Sequence, residues 1–134
     1  MRAALVDSNI LLDLFTRDPT WYAWSSEAVD RLGEDHVFVI NPIVYAEVSI
    51  HFETAGEVDE AFPARMFRRE PVPFDAAFVA GKIFARYRKR GGKRNAPLAD
   101  FFIGAHAAVA GYALLTRNAR HYRRNFPTLR LIAP

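Results

Sequence analysis

The sequence predicts an α/β fold, a three-layer α/β/α sandwich with a mainly parallel central sheet. Three observations favour it. Short apolar runs alternate with longer helical patterns along the chain, which is the order of strands and covering helices around a parallel sheet. The strand-like runs are continuously apolar, as strands covered on both faces are. A length of 134 residues, with 51% hydrophobic and 25% charged side chains, fits a single domain over residues 1–134.

The first half of the chain holds two of the predicted strands. In order, the pattern predicts a strand at 4–6, a helix through residue 15, a helix at about 20–32, a strand at 37–40 and a helix from 42 to about 52. Ser8 or Asn9 can cap the first helix, because a short polar side chain there accepts a hydrogen bond from the first turn. Asn41 followed by Pro42 is a cap with proline at the first helical position, so the third helix begins there.

The second half alternates in the same way. The pattern predicts a helix at about 58–68, a short edge strand at 71–73, helices at about 76–90 and 97–110, a strand at 112–115, a helix at about 118–125 and a strand at 129–132. Asp75 can cap the long helix, and Gly91 with Gly92 ends it. Pro71 and Pro73 limit their segment to an edge strand, because proline donates no hydrogen bond to a neighbouring strand.

The composition excludes several kinds of site. Cysteine is absent, which excludes disulfides, thiolate metal sites and cysteine nucleophiles. The longest stretch without a formal charge, residues 101–116, is shorter than the roughly 20 residues of a membrane span. The apolar run at 3–6 is too short for a signal peptide, so we expect a cytoplasmic protein with no membrane partner. The sequence contains no phosphate-binding glycine loop, serine-hydrolase elbow or paired-histidine metal motif.

Charge is divided unevenly between the two halves of the chain. The net charge is +3, but residues 1–75 carry 14 acidic and 6 basic side chains. Residues 76–134 carry 12 basic side chains and a single acid, Asp100. Six of the nine residues at 86–94 are basic. Such a surplus is typical of a surface that binds a polyanion, and the alternative is a solvated helix face balanced by the acidic half.

Three carboxylates stand in apolar surroundings, where an unpaired charge is costly. Asp7 ends the first strand, and ligands of parallel sheets bind beyond strand ends. Glu47 has apolar residues at i−4, i−3 and i+3 on its helix, and Asp100 is the lone acid of an almost wholly apolar helix in which Gly104 leaves room for a ligand or water. Each acid also has a structural explanation: a helix cap for Asp7, a pair with the i+4 histidine for Glu47 and the helix dipole for Asp100.

If Asp7, Glu47 and Asp100 converge, they form an oxygen-rich anionic pocket. Three nearby carboxylates cannot all stay ionised without a cation, and Mg²⁺ or Mn²⁺ is the ion that such ligands favour. A metal-activated water there can attack a phosphodiester while the basic half holds the polyanion. Spacing alone does not show that the three converge. Asp13, further along the first helix, is interpreted as a solvated charge.

Four segments, in order along the chain, resemble the motifs of PIN domains. They are residues 5–12 (LVDSNILL), 46–48 (AEV), 98–105 (LADFFIGA) and 114–118 (LLTRN). Within that family the chain is most similar to the VapC toxins of type II toxin–antitoxin systems. The resemblance implies a three-layer α/β/α fold, an Mg²⁺- or Mn²⁺-dependent endoribonuclease, a homodimer and an inhibitory antitoxin partner.

The resemblance also implies roles for individual residues. Asp7, Glu47 and Asp100 take the catalytic and metal-ligand positions, with Thr116 and Ser8 in support. Asn118, also supporting, stands where many relatives carry a fourth aspartate, so we expect one well-occupied metal position. The residues predicted to bind RNA are Arg86, Arg88, Lys89, Arg90, Lys93, Arg94 and Arg117. Bulky side chains that form either core or an antitoxin-binding groove are Phe52, Phe62, Met66 and Phe67.

Other functions compete with the nuclease. A phosphohydrolase of the haloacid dehalogenase type also opens with a strand-end aspartate, but it needs a second aspartate where Asn9 stands. A receiver-like signalling module needs an early acidic pair and a late strand-end lysine, and the sequence has neither. The more serious alternative is non-catalytic: a PIN-like module that binds RNA or protein, with a site weakened by Asn118. A metal titration separates it from the enzyme.

Overall fold

A computed structural model describes residues 1–93 and 97–134 of the chain. Within these ranges the strands are β1 (Arg2–Val6), β2 (His36–Ile40), β3 (Phe67–Arg69), β4 (Ala113–Leu115) and β5 (Leu131–Ile132). They form one sheet in the spatial order β3-β2-β1-β4-β5, and every neighbouring pair is parallel. The predicted parallel sheet is therefore confirmed, with the first strand of the chain at its centre.

Helices cover the sheet between successive strands. Over the same residues they are α1 (Ser8–Thr16), α2 (Tyr22–Leu32), α3 (Pro42–Ser49), α4 (Ala55–Ala61), α5 (Phe74–Lys89), α6 (Leu98–Ala110) and α7 (Ala119–Asn125). From β1 the chain adds β2 and then β3 on one side of the sheet. It then crosses to the other side of β1, where it adds β4 and then β5. Right-handed crossovers then place α1–α4 on one face and α5–α7 on the other. This arrangement confirms the three-layer α/β/α prediction.

The sheet is the hydrophobic centre because both of its faces are covered. Ala4, Leu5 and Val6 of β1 and Leu114 and Leu115 of β4 are all fully buried. Burying one such leucine or valine side chain contributes about 1.5–3 kcal/mol of transfer free energy. Two aromatic clusters add to this core: one joins Phe15, Phe52 and Phe62 to Phe67 of β3, and the other joins Phe84, Tyr87, Phe101, His121 and Phe126 in the layer of α5–α7.

Two predicted helix caps have different outcomes. Asn41 caps α3 as expected, with its side-chain oxygen accepting from the N–H of Val44 at 2.9 Å. The prediction that Ser8 or Asn9 caps α1 is wrong, because Asp7 is the cap and its carboxylate accepts from the N–H of Ser8. The strand-end aspartate is thus already part of a helix terminus, where a negative charge is favoured by the helix dipole.

The predicted elements around residues 58–73 are shifted in the structure. Thr54 and Glu57 form a reciprocal capping box, so α4 begins and ends earlier than the predicted helix at 58–68. Pro63 follows that helix, and the chain then forms β3 at 67–69, not at 71–73. Pro73 is the cap residue of α5, so Asp75 lies in the first turn of that helix and does not cap it.

The topology places a crevice beside the end of β1. β1 lies between β2 and β4, and the chain leaves β1 towards the face covered by α1 but leaves β4 towards the face covered by α7. Ligands of open parallel sheets bind at the carboxyl ends of strands where the connections diverge in this way. Asp7 is the first residue beyond β1 and therefore lies at this point.

No described helix is both long enough and apolar enough to span a lipid bilayer.

Candidate active site

Asp7 is the centre of a hydrogen-bond network that joins three elements. Its backbone N–H donates to the carbonyl of Leu115 on β4 at 2.9 Å, which extends the sheet by one bond. Its Oδ1 accepts from the N–H of Ser8 at 2.8 Å. Its Oδ2 accepts from the Thr116 hydroxyl at 2.8 Å and from the Tyr122 hydroxyl at 3.2 Å. The position of this carboxylate is therefore fixed by β4 and α7 as well as by α1.

Burial dominates the electrostatics of Asp7, which is only 3% exposed. Desolvation raises the pKa of Asp7 above its usual value, although its hydrogen bonds act in the opposite direction. Burial also raises the pKa of the Tyr122 hydroxyl well above its usual value, and the neighbouring charges of Asp7, Asp100 and Glu47 add to that shift. Tyr122 therefore keeps its proton at neutral pH and remains a donor to Asp7.

Glu47 on α3 joins the same region through Ser8. The Ser8 hydroxyl donates to Glu47 Oε1 at 2.9 Å, so Glu47 pairs with Ser8 and not with His51 as the structural alternative required. Glu47 is half-buried at the edge of the apolar face, since Ile50, one turn later, is 81% exposed. Burial raises the pKa of Glu47, the charge of Asp7 raises it further, and the hydrogen bond from Ser8 lowers it.

Asp100 completes the acidic group from the first turn of α6. Burial raises its pKa to about 7, and the charges of Asp7 and then Glu47 contribute to the rise. Charge–charge effects of this kind act over a few ångströms in a protein interior. The three carboxylates that the sequence singled out therefore lie in one electrostatic neighbourhood, and each has its pKa raised by burial first.

The donor chemistry of this neighbourhood fits a hard divalent cation. Its acidic and hydroxyl groups all present oxygen atoms, which Mg²⁺ and Mn²⁺ prefer as ligands. Across residues 1–93 and 97–134, no three histidine or acidic side chains are close enough together to ligate one ion directly. Mg²⁺ keeps several of its own waters and takes one or two protein carboxylates directly. The residues fit an ion held partly through water.

The loop after β4 supplies the supporting groups. Thr116 is fully buried, and besides donating to Asp7 its hydroxyl oxygen accepts from the backbone N–H of Asn118 at 3.0 Å. Asn9 reaches both Asp7 Oδ2 and Thr116 Oγ1 at 3.4 Å. Asn118 is the cap residue that precedes α7, and its exposed side chain makes no capping bond to this helix. Thr116 therefore orients Asp7, while the side chain of Asn118 faces solvent.

Comparison with known proteins identifies the family at this point. A family model for the PIN domain matches residues 4–127, which include all three carboxylates and the Thr116 loop. The chain belongs to the PIN domain family. No curated protein matches the sequence.

Solved structures share the fold of this PIN domain along nearly its whole length. VapBC2 from Rickettsia felis, bound to a promoter DNA fragment, matches at a TM-score of 0.78 and 17% identity over 98% of each chain. FitAcB from Neisseria gonorrhoeae matches at 0.73 and 18% identity over 96% of each chain. A toxin–antitoxin complex from Klebsiella pneumoniae matches at 0.63 and 24% identity, over 96% of this chain and 95% of the other.

Arg117 of the PIN domain has an intramolecular partner. Its guanidinium forms two bonds to Asp13, at 2.7 and 3.0 Å, and lies 5.1 Å over the Trp21 ring. Asp13 is 2% exposed and also accepts from the Ser25 hydroxyl at 2.7 Å, so its interpretation as a solvated charge is wrong. Helical spacing alone suggested a surface position for Asp13. The cation that permits its burial is Arg117, which lies far along the chain and could not be found from local spacing.

The other predicted RNA-binding residues lie at the end of α5 and just beyond it. Arg86, Arg88, Lys89, Arg90 and Lys93 are all exposed. Arg90 also donates to Asn125 at 3.1 Å. Arg90 and Lys93 line a cleft of about 230 Å³ together with Arg124, which the sequence analysis did not select. Arg94 lies outside the described residues.

Gly104 has a packing role that differs from the prediction. A Cβ at this position would come within 2.5 Å of the Phe126 ring, so the space beside α6 holds an aromatic side chain, not a ligand or water. Phe126 follows α7 directly and is buried. Gly104 therefore sets how closely α7 approaches α6.

Tyr122 is the site residue that the sequence analysis missed. It is fully buried and looks from sequence like any core aromatic. A usable signal was its place four residues after Asn118, one turn into the helix that follows a strand end.

Proposed function

We propose that this PIN domain is a metal-dependent endoribonuclease that acts in the cytoplasm as the toxin of a toxin–antitoxin pair. The observation that carries the proposal is the grouping of three buried or partly buried carboxylates near the carboxyl end of β1: Asp7 at the strand end, Glu47 joined to it through Ser8, and Asp100 in the first turn of α6. Burial raises the pKa of each, and the charge of Asp7 raises the pKa of Glu47 and of Asp100 further. Such carboxylates are destabilising unless a cation compensates them, so their grouping favours a cation-binding site.

Asp7, Glu47 and Asp100 are the residues that would hold Mg²⁺ or Mn²⁺, directly or through water. When bound, the ion makes water a stronger nucleophile and neutralises charge that develops on the phosphodiester. Thr116 and Tyr122 hold the Asp7 carboxylate in one orientation, and Ser8 does the same for Glu47. The exposed cations at the end of α5 bind the phosphates that flank the cleaved bond.

The first experiment measures RNA cleavage by Asp7→Asn and Asp100→Asn in Mn²⁺. Each change removes one negative charge and keeps the shape of the side chain. We expect a loss of about 100-fold or more, the usual effect of removing a group that stabilises transition-state charge. Asp30→Asn is the matched control, because Asp30 is an exposed acid on α2, outside the acidic group.

The same proteins are titrated with Mn²⁺ by calorimetry. Tight binding by the wild type and by Asp30→Asn, with weakened binding by the two site variants, supports the proposal. Full cleavage by purified Asp100→Asn contradicts it. Wild-type protein that binds RNA but neither binds Mn²⁺ nor cleaves RNA would assign the chain instead to the non-catalytic PIN-like modules.

A groove on the opposite layer supports an antitoxin partner. It measures about 780 Å³ and is lined by residues of α1, α2 and α4 and of the segments that follow α3 and α4, with apolar side chains that include Phe15, Phe52 and Met66. Three acids, Glu53, Glu57 and Glu60, outnumber the single arginine in the lining, Arg17. An amphipathic helix with an apolar stripe and basic flanks complements such a groove. The matched structure from Klebsiella pneumoniae is itself a toxin–antitoxin complex, and the one from Rickettsia felis is VapBC2 bound to its promoter DNA.

The partner is tested by co-purification with the product of the adjacent gene. A Met66→Lys variant should lose the partner, because it places a cation among the apolar side chains of the groove, whereas Ala23→Lys, exposed on α2, should keep it. Retention of the partner by Met66→Lys would contradict the groove assignment. We further propose that the free toxin is a homodimer.

A further inference from the structure

A basic cleft of about 230 Å³ lies where the end of α5 meets α7, and we call it the α5–α7 cleft. The residues that line it are Tyr87, Arg90, Gly91, Gly92, Lys93 and Arg124. Half of this lining is cationic and none of it is acidic. Among the described residues, no carboxylate lies within ion-pair distance of Arg90, Lys93 or Arg124. Three cations around one small space attract an anion.

The wall of the cleft is held in place by close packing. A Cβ at Gly92 would come within 2.4 Å of the Tyr87 ring, so the backbone after α5 lies directly against that ring. Gly91 has a φ of +83°, a left-handed conformation that glycine adopts without strain, and this turns the chain back over the helix end. The backbone N–H of Lys93 then donates to the Tyr87 hydroxyl at 3.1 Å. The chain from 91 to 93 therefore has one fixed position beside α5.

Hydrogen-bond donors point into the cleft from several elements. The Arg90 guanidinium donates to the side-chain oxygen of Asn125 at 3.1 Å, and Asn125 is 7% exposed and bonded to the backbone of α7. That bond orients the guanidinium and leaves most of its five N–H donors available. The Tyr87 hydroxyl accepts from Lys93 and, within the described part of the chain, donates to no acceptor. With the other two cations, four donor groups surround the space.

The α5–α7 cleft lies close to the acidic group. Asp100 is in the first turn of α6, near enough to Asp7 for the charge of Asp7 to raise its pKa, so α5 ends and α6 begins at the edge of the sheet where β1 ends. The Tyr87 ring is 5.3 Å from the ring of Phe101, the residue directly after Asp100. One aromatic side chain therefore separates the two sites, and an RNA strand at the acidic group can reach the cleft.

We propose that the α5–α7 cleft binds a terminal phosphomonoester of the RNA substrate. A phosphodiester inside a strand carries a single negative charge, whereas a phosphomonoester carries about −1.5 to −2 at pH 7 and presents three acceptor oxygens. Three cations and one hydroxyl match the charge and the oxygens of the monoester. The inference rests on the proposed function and deepens it, because it makes a strand end part of what the nuclease recognises.

The other cations of α5 serve internal phosphates. Arg86, Arg88 and Lys89 are exposed and lie outside the lining of the cleft. Separate exposed cations suit phosphodiesters, each of which needs one positive charge. A free nucleotide carries the same monoester as an RNA end. It would also need a ring on which its base stacks, but the one aromatic side chain of the lining, Tyr87, is packed against Gly92. This favours an RNA end, whose remaining nucleotides bind elsewhere on the protein.

The first test compares three RNAs of one sequence that differ only at their ends. One has a 5′-phosphate, one a 3′-phosphate and one hydroxyls at both ends. Fluorescence anisotropy with an internal label measures their dissociation constants in EDTA, so that no metal is bound and no RNA is cleaved. We expect one phosphorylated RNA to bind at least 10-fold more tightly than the hydroxyl-ended RNA. Equal dissociation constants for all three would overturn the proposal.

Two variants assign the preference to the cleft. Arg124→Gln should reduce the preference for the phosphorylated RNA to less than 3-fold. Arg123→Gln is the matched control, because Arg123 is exposed on the same helix, carries the same charge and lies outside the lining. Gly92→Ala should also reduce the preference although it removes no charge, since the added methyl group displaces the chain from the Tyr87 ring. A full preference in Arg124→Gln would overturn the assignment.

Competition separates the two sources of a phosphomonoester. A nucleoside 5′-monophosphate and inorganic phosphate should displace the phosphorylated RNA only at concentrations at least 100-fold above its dissociation constant. A nucleoside monophosphate that binds as tightly as the RNA would make the cleft a site for free nucleotides and overturn the inference. Cleavage of the hydroxyl-ended RNA in Mn²⁺ is measured separately. Cleavage together with equal affinities for the three RNAs would remove only this inference, whereas phosphate-dependent binding without cleavage would remove only the nuclease.

Discussion

The Asp7 carboxylate caps α1 and is also part of the proposed metal site. Its Oδ1 accepts from the first N–H of α1, while Oδ2 takes hydroxyl donors from Thr116 and Tyr122. Asp7, Glu47 and Asp100 could be predicted from sequence because a strand end and two apolar helix faces are unusual places for a carboxylate. The partners of Tyr122 and Asp13 could not, because they lie more than 100 residues away in sequence, and for Tyr122 only its place one turn after Asn118 pointed to the site.

The pH dependence of stability should report Asp100. Its folded-state pKa is about 7 against 3.8 for the free group, so between these values the folded protein holds a proton that the unfolded chain has released. Stability of the metal-free protein should therefore fall as pH rises from about 4 to 7. Urea unfolding across that range measures it, and Asp100→Asn should lose part of the slope. An unchanged slope in the variant would contradict the shift.

Asn118→Asp tests the fourth position of the site. An added carboxylate should attract a cation more strongly, so we expect tighter Mn²⁺ binding by calorimetry. It should also lower the melting temperature of the metal-free protein, because four clustered carboxylates repel more than three. Added Mn²⁺ should raise the melting temperature of the variant back to that of the wild type. If the substitution changes neither affinity nor melting temperature, position 118 lies outside the site.

At the scale of elements, one ion pair connects the loop after β4 to the layer of α1–α4. Arg117 on that loop bonds Asp13 of α1, which bonds Ser25 of α2, and Trp21 stacks on the guanidinium. The sequence predicted the long, capped or strongly apolar elements well, namely β1, α3 and α6. It misplaced β3, because three residues carry too little pattern and the strand exists only through its pairing with β2.

Arg117→Ala should destabilise the fold by about 3 kcal/mol, because it leaves the buried Asp13 carboxylate without its cation. Chemical denaturation measures the loss. The double variant Asp13→Ala/Arg117→Ala should lose less than the sum of the two single variants, since the pair is removed together. Additive losses would show that the two side chains do not interact.

For the whole molecule, the division of charge along the chain becomes a division between layers. The helices of residues 1–75, α1–α4, form the layer with the acidic surplus, and α5–α7 form the layer with the basic surplus. The acidic groove for a partner and the basic end of α5 are therefore on different faces. One chain can therefore present an acidic surface that binds basic groups and a basic surface that binds phosphates, on different faces.

Salt dependence should separate these surfaces. A variant with Arg88, Lys89 and Lys93 changed to alanine should bind single-stranded RNA with a salt slope lower by about 2, because each phosphate that a cation neutralises adds roughly 0.7 to that slope. Neutralising Arg2, Arg31 and Arg65 instead removes the same charge from the other half of the chain and should leave the slope unchanged. Fluorescence anisotropy over a salt series measures both. Equal slopes in all three proteins would make the end of α5 a solvated face only.

The missing side chain of Gly104 has a genetic consequence. The Phe126 ring packs against the backbone of Gly104, and Tyr122, four residues before Phe126, holds Asp7. The close approach at Gly104 therefore sets where the tyrosine hydroxyl points. Even one methyl group at residue 104 would lift α7 and loosen the aspartate. If the protein arrests growth as proposed, survivors selected after random mutagenesis should include Gly104→Ala and Gly104→Ser, although residue 104 has no charge and no hydroxyl to offer the reaction.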